Sequence, residues 1–135
     1  NVYTTGPKAD GSAWRRGVEN PWPGEDAPQY VQTVELTGGD SLIVSGDYQR
    51  YFTYEGKRYS HLIDLTTGCP AAYYSSVAVY SSPDEGLGDL FSTALFCLPP
   101  EQSRRVADDN GLAVLWLGTD GEVAAQTDNW PGKAV

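Results

Sequence analysis

The hydrophobic pattern of this chain switches to a helical period over one segment, residues 87–98. The apolar positions recur every three or four residues, at Leu87, Leu90, Phe91, Ala94, Leu95 and Leu98. This spacing predicts an amphipathic helix whose apolar stripe packs against the rest of the fold. Pro99 and Pro100 end that helix, and Pro100 can open a second helix that runs to about Asp109. The sequence therefore predicts two consecutive helices in this part of the chain.

The other segments have the pattern of short β-strands separated by turns. Runs rich in β-branched, aromatic and aliphatic residues are bounded by Gly, Pro and Asp, at 2–4, 14–18, 31–36, 42–45, 77–80, 112–117 and 123–126. Residues 48–54 and 57–64 flank the dipeptide Glu55-Gly56, which predicts a β-hairpin. We therefore predict an α+β fold in which antiparallel strands pack on the buried helix 87–98.

Size and charge narrow the expected partners. The 135 residues are 40% hydrophobic, which is enough for one core and indicates a single domain. Eighteen Asp and Glu residues oppose nine Lys and Arg residues, and the formal net charge is −9. This charge repels the phosphates of nucleic acids and anionic lipid surfaces, so neither is an expected partner. An anionic small substrate would need a local device, such as a metal ion or a helix N-terminus.

The cysteines and the ends of the chain carry no motif that indicates a function. Cys69 and Cys97 do not form a C-x-x-C pair, and His61 is the only histidine. Neither a zinc site nor a thioredoxin-like redox pair is therefore predicted, while one disulfide and two free thiols both remain open. No segment approaches the ~18 apolar residues of a membrane helix, and no targeting segment is visible. Because the chain contains no Met, we expect a processed, cleaved or truncated product.

Three oxygen-bearing side chains share one face of the predicted helix 87–98. Asp89, Ser92 and Thr93 stand at positions i, i+3 and i+4, near the positively polarised N-terminal end. A carboxylate among apolar residues needs a counter-ion or dense hydrogen bonding, and Mg²⁺ prefers such oxygen ligands together with substrate phosphates. A second interpretation is structural: Asp89 caps the helix, while Ser92 and Thr93 bond to carbonyls one turn earlier. Both interpretations are open at this point.

His61 lies at the end of the second hairpin strand, beside a turn. A histidine titrates near neutrality and can exchange a proton with a hydroxyl group, although a lone histidine is more often structural. Asp64 could orient the ring, but its local chemistry favours capping of the turn that follows. Similarly, Ser45 to Tyr48 could form a pocket wall or an ordinary turn.

Four segments, in order along the chain, carry a family resemblance. They are Ser45-Gly46-Asp47-Tyr48-Gln49-Arg50-Tyr51-Phe52, Gly56-Lys57-Arg58-Tyr59-Ser60-His61-Leu62-Ile63-Asp64, Thr67-Gly68-Cys69-Pro70 and Gly88-Asp89-Leu90-Phe91-Ser92-Thr93-Ala94-Leu95-Phe96. Weaker similarities occur at residues 1–3 and 14–21. With this order and spacing, the chain resembles the carboxy-terminal part of the ApbE-type FAD:protein FMN transferases, a family of flavin transferases.

The resemblance implies a reaction, a metal and roles for particular residues. The family transfers FMN from FAD to a Thr or Ser hydroxyl of an acceptor protein and releases AMP, with Mg²⁺ at the diphosphate. By resemblance, Asp89 and Thr93 are metal ligands, and Ser92 stands where it can supply a further one. His61 corresponds to the histidine implicated in transfer to the acceptor, and His61 and Ile63 line the flavin nucleotide site.

This sequence departs from the family pattern in two respects. Leu65 replaces the usual proline after Asp64, which removes no chemical group. The family's FAD-recognition segments and an earlier metal contact normally precede the position of Asn1. Residues 1–135 are therefore predicted to be the carboxy-terminal portion of one flavin transferase domain with a T-fold-related architecture. An amino-terminal half, in the same or a separate chain, would complete the site, and this portion alone is expected to be inactive.

The resemblance also implies a location and leaves two rival functions. Family members work outside the cytoplasm as proteins of the cell envelope, many of them lipoproteins, and the same location is expected here. The first rival is an FAD pyrophosphatase, in which water replaces the acceptor hydroxyl and the products are FMN and AMP. The second is a noncatalytic flavin-binding or interaction module that retains the scaffold.

Overall fold

The computed structural model describes residues 1–23, 25, 27–82 and 87–135. Its strands are β1 (Val2–Tyr3), β2 (Trp14–Glu19), β3 (Tyr30–Leu36), β4 (Ser41–Gly46), β5 (Tyr51–Tyr54), β6 (Lys57–Ser60), β7 (Ile63–Asp64), β8 (Cys69–Pro70), β9 (Ser76–Ser81), β10 (Ala113–Leu117), β11 (Val123–Gln126) and β12 (Lys133–Ala134). Its helices are α1 (Gly88–Phe96) and α2 (Pro100–Asp109). The predicted α+β class is confirmed. The sequence pattern missed the two-residue strands β8 and β12, and it predicted one strand over 57–64 where the structure has the separate strands β6 and β7.

The main sheet has the strand order β1-β4-β9-β10-β11, and every neighbouring pair is antiparallel. Side chains on a strand alternate between its faces, so Val77 and Val79 of β9 face one core while Ala78 faces another. The first core contains Leu95 and Phe96 of α1. The second contains residues of a smaller sheet, ordered β12-β3-β2. The main sheet therefore lies between the helices and the smaller sheet.

The buried face of α1 differs from the predicted apolar stripe. Gly88, Ser92, Leu95 and Phe96 are buried, whereas Leu87 and Leu90 are 54% and 65% exposed. A Cβ at Gly88 would lie 3.0 Å from Cγ1 of Ile43 on β4, so the glycine lets the helix approach the sheet closely. The stripe prediction was wrong at Leu87, Leu90 and Ala94, which are exposed. At the N-terminal end of α1, small residues rather than leucines contact the sheet.

The second helix and the hairpin follow the sequence prediction. α2 begins at Pro100 and ends at Asp109, as predicted. In the hairpin, Glu55 and Gly56 both have positive φ, at 50° and 75°, as a two-residue type I′ turn requires. Its strands β5 and β6 are shorter than predicted and form a separate two-stranded ribbon.

Two other sequence questions are answered by the fold. Cys69 and Cys97 are both free thiols, and burial raises the pKa of the half-buried Cys97 thiol. Of the described residues, no helix combines the length and hydropathy needed to cross a lipid bilayer.

Candidate functional site

A cavity of about 550 Å³ lies where the edge of the main sheet, the smaller sheet, α1 and the base of the hairpin meet. It contains three predicted site residues, Asp89 and Thr93 of α1 and His61, which lies far from both of them in sequence. The other lining residues are Asn1, Val2, Arg16, Gly17, Glu19, Leu42, Val44, Ser45, Gly46, Tyr48, Gln49, Arg50 and Leu62. The fold therefore joins the helix motif and the hairpin histidine at one concave surface.

One side of the cavity is formed by Ser45 of β4 and by Asp89 and Thr93 of α1, and the buried Ser92 of α1 lies beneath the cavity surface. We call these four polar residues the polar corner. The Ser45 hydroxyl lies 2.9 Å from the Ser92 hydroxyl and 3.2 Å from the Thr93 hydroxyl. Ser92 is fully buried and donates to the backbone carbonyl of Asp89 at 3.1 Å. Thus the structural interpretation holds for Ser92, which bonds back within its helix.

The structural interpretation is wrong for Asp89. α1 has Leu87 at its N-cap and no side-chain capping bond, so the carboxylate is not the cap of this helix. Instead, Asn1 donates from Nδ2 to Asp89 Oδ1 at 3.0 Å, and Asn1 Oδ1 accepts from the backbone N–H of Val44 at 3.1 Å. Antiparallel pairing of Val2 with Leu42 brings Asn1 to this position. Asn1 thereby ties the exposed carboxylate to the sheet edge.

The His61 ring is held by the backbone of Arg50. Nδ1 of the ring lies 3.0 Å from the Arg50 carbonyl oxygen, which also accepts from the His61 backbone N–H at 3.3 Å. Because a carbonyl oxygen only accepts hydrogen bonds, Nδ1 carries the proton when the ring is neutral. Nε2 then carries the lone pair, and the exposed ring can accept a proton there.

Asp64 caps the turn after His61, as its local chemistry favours. Its Oδ1 accepts from the backbone N–H of Thr66 at 2.8 Å and from the Thr66 hydroxyl at 2.6 Å. Its Oδ2 accepts from the Tyr73 hydroxyl at 3.0 Å. These bonds, chiefly those from Thr66, hold the pKa of Asp64 below its usual value. The carboxylate stabilises the segment that follows the histidine.

The segment from Ser45 to Tyr48 forms a wall of the cavity. The Tyr48 ring lies over Gly46 in the space that a Cβ would fill, and burial raises the pKa of Tyr48 to about 12. Asp47 pairs with Arg58 of the hairpin at 2.9 Å, and its burial raises the pKa of that carboxyl despite the guanidinium. The Arg58 guanidinium also lies 3.7 Å from the centre of the Trp22 ring. These contacts attach the hairpin to the body of the protein.

Two predicted site residues lie outside the cavity lining. Ser92 is fully buried, and its hydroxyl contacts the Ser45 hydroxyl, which in turn contacts the hydroxyl of Thr93. Ile63 pairs with Pro70 between β7 and β8 and is 41% exposed on a neighbouring surface. Their roles as a metal ligand and as part of the flavin nucleotide site remain predictions.

The sequence analysis did not single out two arginine side chains that line the cavity. Arg16 and Arg50 are among nine basic residues in a chain of charge −9, and both line this cavity. The Arg16 guanidinium lies 5.5 Å from the centre of the Trp14 ring. Their positive charges make this surface more favourable for phosphate groups than the net charge indicates. In the sequence, Arg16 could have been found only through the weak family similarity at residues 14–21, and Arg50 only through the motif at residues 45–52.

The donor atoms of the polar corner suit a hard cation that also binds substrate oxygens. In the parts of the chain that the structure describes, no three His, Cys, Asp or Glu side chains converge as a complete metal site. Asp89 and Thr93 present one carboxylate and one hydroxyl to the cavity. Mg²⁺ typically takes one or two protein carboxylates and completes its octahedron with waters and phosphates. The residues present therefore fit Mg²⁺ as part of such a set.

The chain belongs to the ApbE family, whose family model matches residues 1–116. Among its curated relatives, the FAD:protein FMN transferase of Rhodobacter capsulatus is 38% identical over 114 residues, covering 83% of this chain and 21% of the relative. The FAD:protein FMN transferase of Haemophilus influenzae is 36% identical over 121 residues, covering 88% of this chain and 34% of the relative. The chain thus spans about a third or less of these proteins.

Solved structures show the same fold. The ApbE protein of Thermotoga maritima matches with a TM-score of 0.77 and 31% identity, covering 93% of this chain and 39% of that protein. The apo flavinyl transferase ApbE of Pseudomonas stutzeri matches with a TM-score of 0.68 and 34% identity, covering 96% of this chain and 40% of that protein. The fold described above corresponds to about 40% of each of these two ApbE structures.

Proposed function

We propose that the complete protein transfers FMN from FAD to a Thr or Ser hydroxyl of an acceptor protein and releases AMP. The main support is the cavity where His61 meets Asp89 and Thr93, in a chain of the ApbE family. Curated relatives that carry the name FAD:protein FMN transferase support the transfer of FMN to a protein. Because the chain covers about a third of these relatives, residues beyond it would supply the rest of the FAD site.

Asp89 and Thr93 would hold Mg²⁺ through a carboxylate oxygen and a hydroxyl oxygen. When bound, the cation neutralises charge on the diphosphate and on the leaving phosphate. Arg16 and Arg50 add positive charge along the same surface. Together these groups give an acidic protein a local site for an anionic substrate. In this proposal, Ser92 supplies a further metal ligand and Ile63 is part of the flavin nucleotide site, although neither side chain lines the cavity.

His61 would act as the general base. The acceptor hydroxyl loses its proton to Nε2 while its oxygen forms a bond to the FMN phosphorus. The bond from that phosphorus to the bridging oxygen breaks, and AMP leaves with the bridging oxygen. The Arg50 carbonyl holds Nδ1 in its protonated form, so the free lone pair is on the nitrogen that points away from the hairpin backbone.

The acceptor is a second protein, and we place the reaction in the extracytoplasmic cell envelope. The location is a proposal from the family resemblance alone.

The Mg²⁺-dependent step is tested by Asp89→Ala in the complete protein. We expect AMP release from FAD to fall at least about 100-fold, as when a direct electrostatic contact in a transition state is lost. Asp10→Ala is the matched control, because Asp10 is an exposed carboxylate that caps a turn at Ser12. Unchanged AMP release in Asp89→Ala would contradict the proposal.

Products distinguish the transferase from its rivals. With an acceptor protein present, the transferase yields AMP and a flavin attached covalently to the acceptor, detected by in-gel fluorescence. A pyrophosphatase yields free FMN and AMP at the same rate with or without the acceptor. A noncatalytic module binds flavin and yields neither product.

A further inference from the structure

The hydroxyl groups of the polar corner form a chain with one possible direction. A carbonyl oxygen accepts only, so the Ser92 hydroxyl gives its one proton to the Asp89 carbonyl at 3.1 Å. The 2.9 Å contact with Ser45 is then a hydrogen bond only if Ser45 donates to Ser92. Once the Ser45 proton is used, the 3.2 Å contact with Thr93 requires Thr93 to donate to Ser45. The Thr93 proton therefore points toward the sheet.

This direction decides what Thr93 offers to the cavity. A hydroxyl has one proton and two lone pairs, and the Thr93 proton is used by Ser45. Its lone pairs are left for the cavity that it lines. Asn1 acts similarly on Asp89, because its amide N–H occupies Oδ1 and leaves Oδ2 for the cavity. The corner consequently offers acceptor atoms, which suit a cation and repel a bare phosphate oxygen.

We propose that Ser45 and Asn1 are positioning residues that turn the free lone pairs of Thr93 and Asp89 toward a divalent cation. The proposal rests on the cation site of the proposed function. Neither residue contacts the cation. Ser45 orients a hydroxyl rotor that would otherwise spend time with its proton toward the cavity. Asn1 fixes the carboxylate between the sheet edge and the helix.

The test for Ser45 measures metal affinity rather than turnover. Ser45→Ala in the complete protein should weaken Mn²⁺ binding about 10-fold, a usual effect of removing a group that orients a metal ligand. Mn²⁺ serves as the probe for Mg²⁺, and free Mn²⁺ is counted by electron paramagnetic resonance. Ser45→Thr retains the hydroxyl and should restore the affinity. Wild-type affinity in folded Ser45→Ala would overturn the proposal.

A double-mutant cycle separates positioning from general damage. If Ser45 acts through Thr93, Ser45→Ala should have no further effect on Mn²⁺ affinity in a Thr93→Ala background. An undiminished second loss would contradict that route. Ser103→Ala is the matched control: the buried Ser103 hydroxyl donates to the Leu95 carbonyl at 2.9 Å and accepts from Trp116. It should lower thermal stability and leave Mn²⁺ affinity unchanged.

Two further variants keep the test decisive. If Ser45→Ala does not fold, Ser45→Cys retains the volume and weakens the hydrogen bond, and it should show the same direction of change. Asn1→Leu should weaken Mn²⁺ binding by a similar factor, and unchanged affinity would exclude Asn1. If Asp89→Ala abolishes Mn²⁺ binding while Ser45→Ala and Asn1→Leu do not alter it, the positioning proposal fails and the proposed function stands. If Asp89→Ala leaves Mn²⁺ binding intact, the cation site itself fails.

Discussion

The polar corner and the hairpin face the same cavity but are built in opposite ways. The corner lies on α1, whose Leu95 and Phe96 are fully buried, and its hydroxyl groups bond to one another across α1 and β4. The hairpin is a two-stranded ribbon outside the larger sheets, and its Phe52 and Tyr54 are each 61% exposed. A rigid frame would suit the proposed cation site, while an accessible ribbon would suit the role proposed for His61 toward an acceptor protein.

Stability should show the largest contrast between the two regions. Phe96→Ala in the complete protein is expected to lower the free energy of unfolding by about 3–5 kcal/mol, because the ring is buried and packs edge-on against Tyr74. Phe52→Ala should cost about 1 kcal/mol or less, because its exposed ring only stacks on Tyr59. Urea unfolding measures both. Equal losses would show that the hairpin belongs to the cooperative core.

Substitution of His61 should affect the rate of flavin transfer much more than the affinity for FAD. Asn in place of His61 keeps an N–H for the Arg50 carbonyl but has no base at the Nε2 position. We expect His61→Asn to slow flavin transfer at least about 100-fold and to change FAD affinity by about twofold or less. Stopped-flow transfer assays and equilibrium FAD titrations provide the two values. A parallel loss of both would assign His61 a structural role.

The hairpin turn offers a smaller perturbation at a distance from the reacting atoms. Gly56 has a φ of +75°, so Gly56→Ala should strain the turn by about 1 kcal/mol. Amide hydrogen exchange should then rise in β5 and β6, with a modest decrease in flavin transfer. Gly11→Ala is the matched control, since Gly11 has a φ of +82° and, like Gly56, open space at its Cβ position. If both variants slow transfer equally, the hairpin has no special part in it.

The smallest expected effect is a pH dependence from the turn after His61. The pKa of Asp64 is lowered in the folded protein, so the carboxylate stabilises the fold above its ordinary pKa of 3.8. That contribution is lost as the pH falls below 3.8 through the folded-state pKa. Asp64→Asn should flatten this acid limb of urea-midpoint measurements. An unchanged acid limb would place the dependence on another carboxylate.

Local patterns in the sequence account for most of the elements. Pro99 and Pro100 predict the boundary between the two helices, the predicted end of α2 at about Asp109 is confirmed, and Glu55-Gly56 predicts the hairpin turn. Asp89 and Thr93 could be paired in advance, because residues four apart on a helix share a face. The resemblance to the ApbE family, confirmed by the matching family model, also rested on ordered local motifs.

The burial of α1 and the completion of the site required the tertiary structure. Leu87 and Leu90 have the hydrophobicity of core residues, yet Gly88 and Ser92 face β4 because small side chains permit the close approach. Asn1 is 88 residues from Asp89, and Ser45 is 47 residues from Ser92. No periodic pattern reports such pairs. They meet because β1 and α1 both lie against β4, an arrangement set by strand order and packing rather than by any local segment.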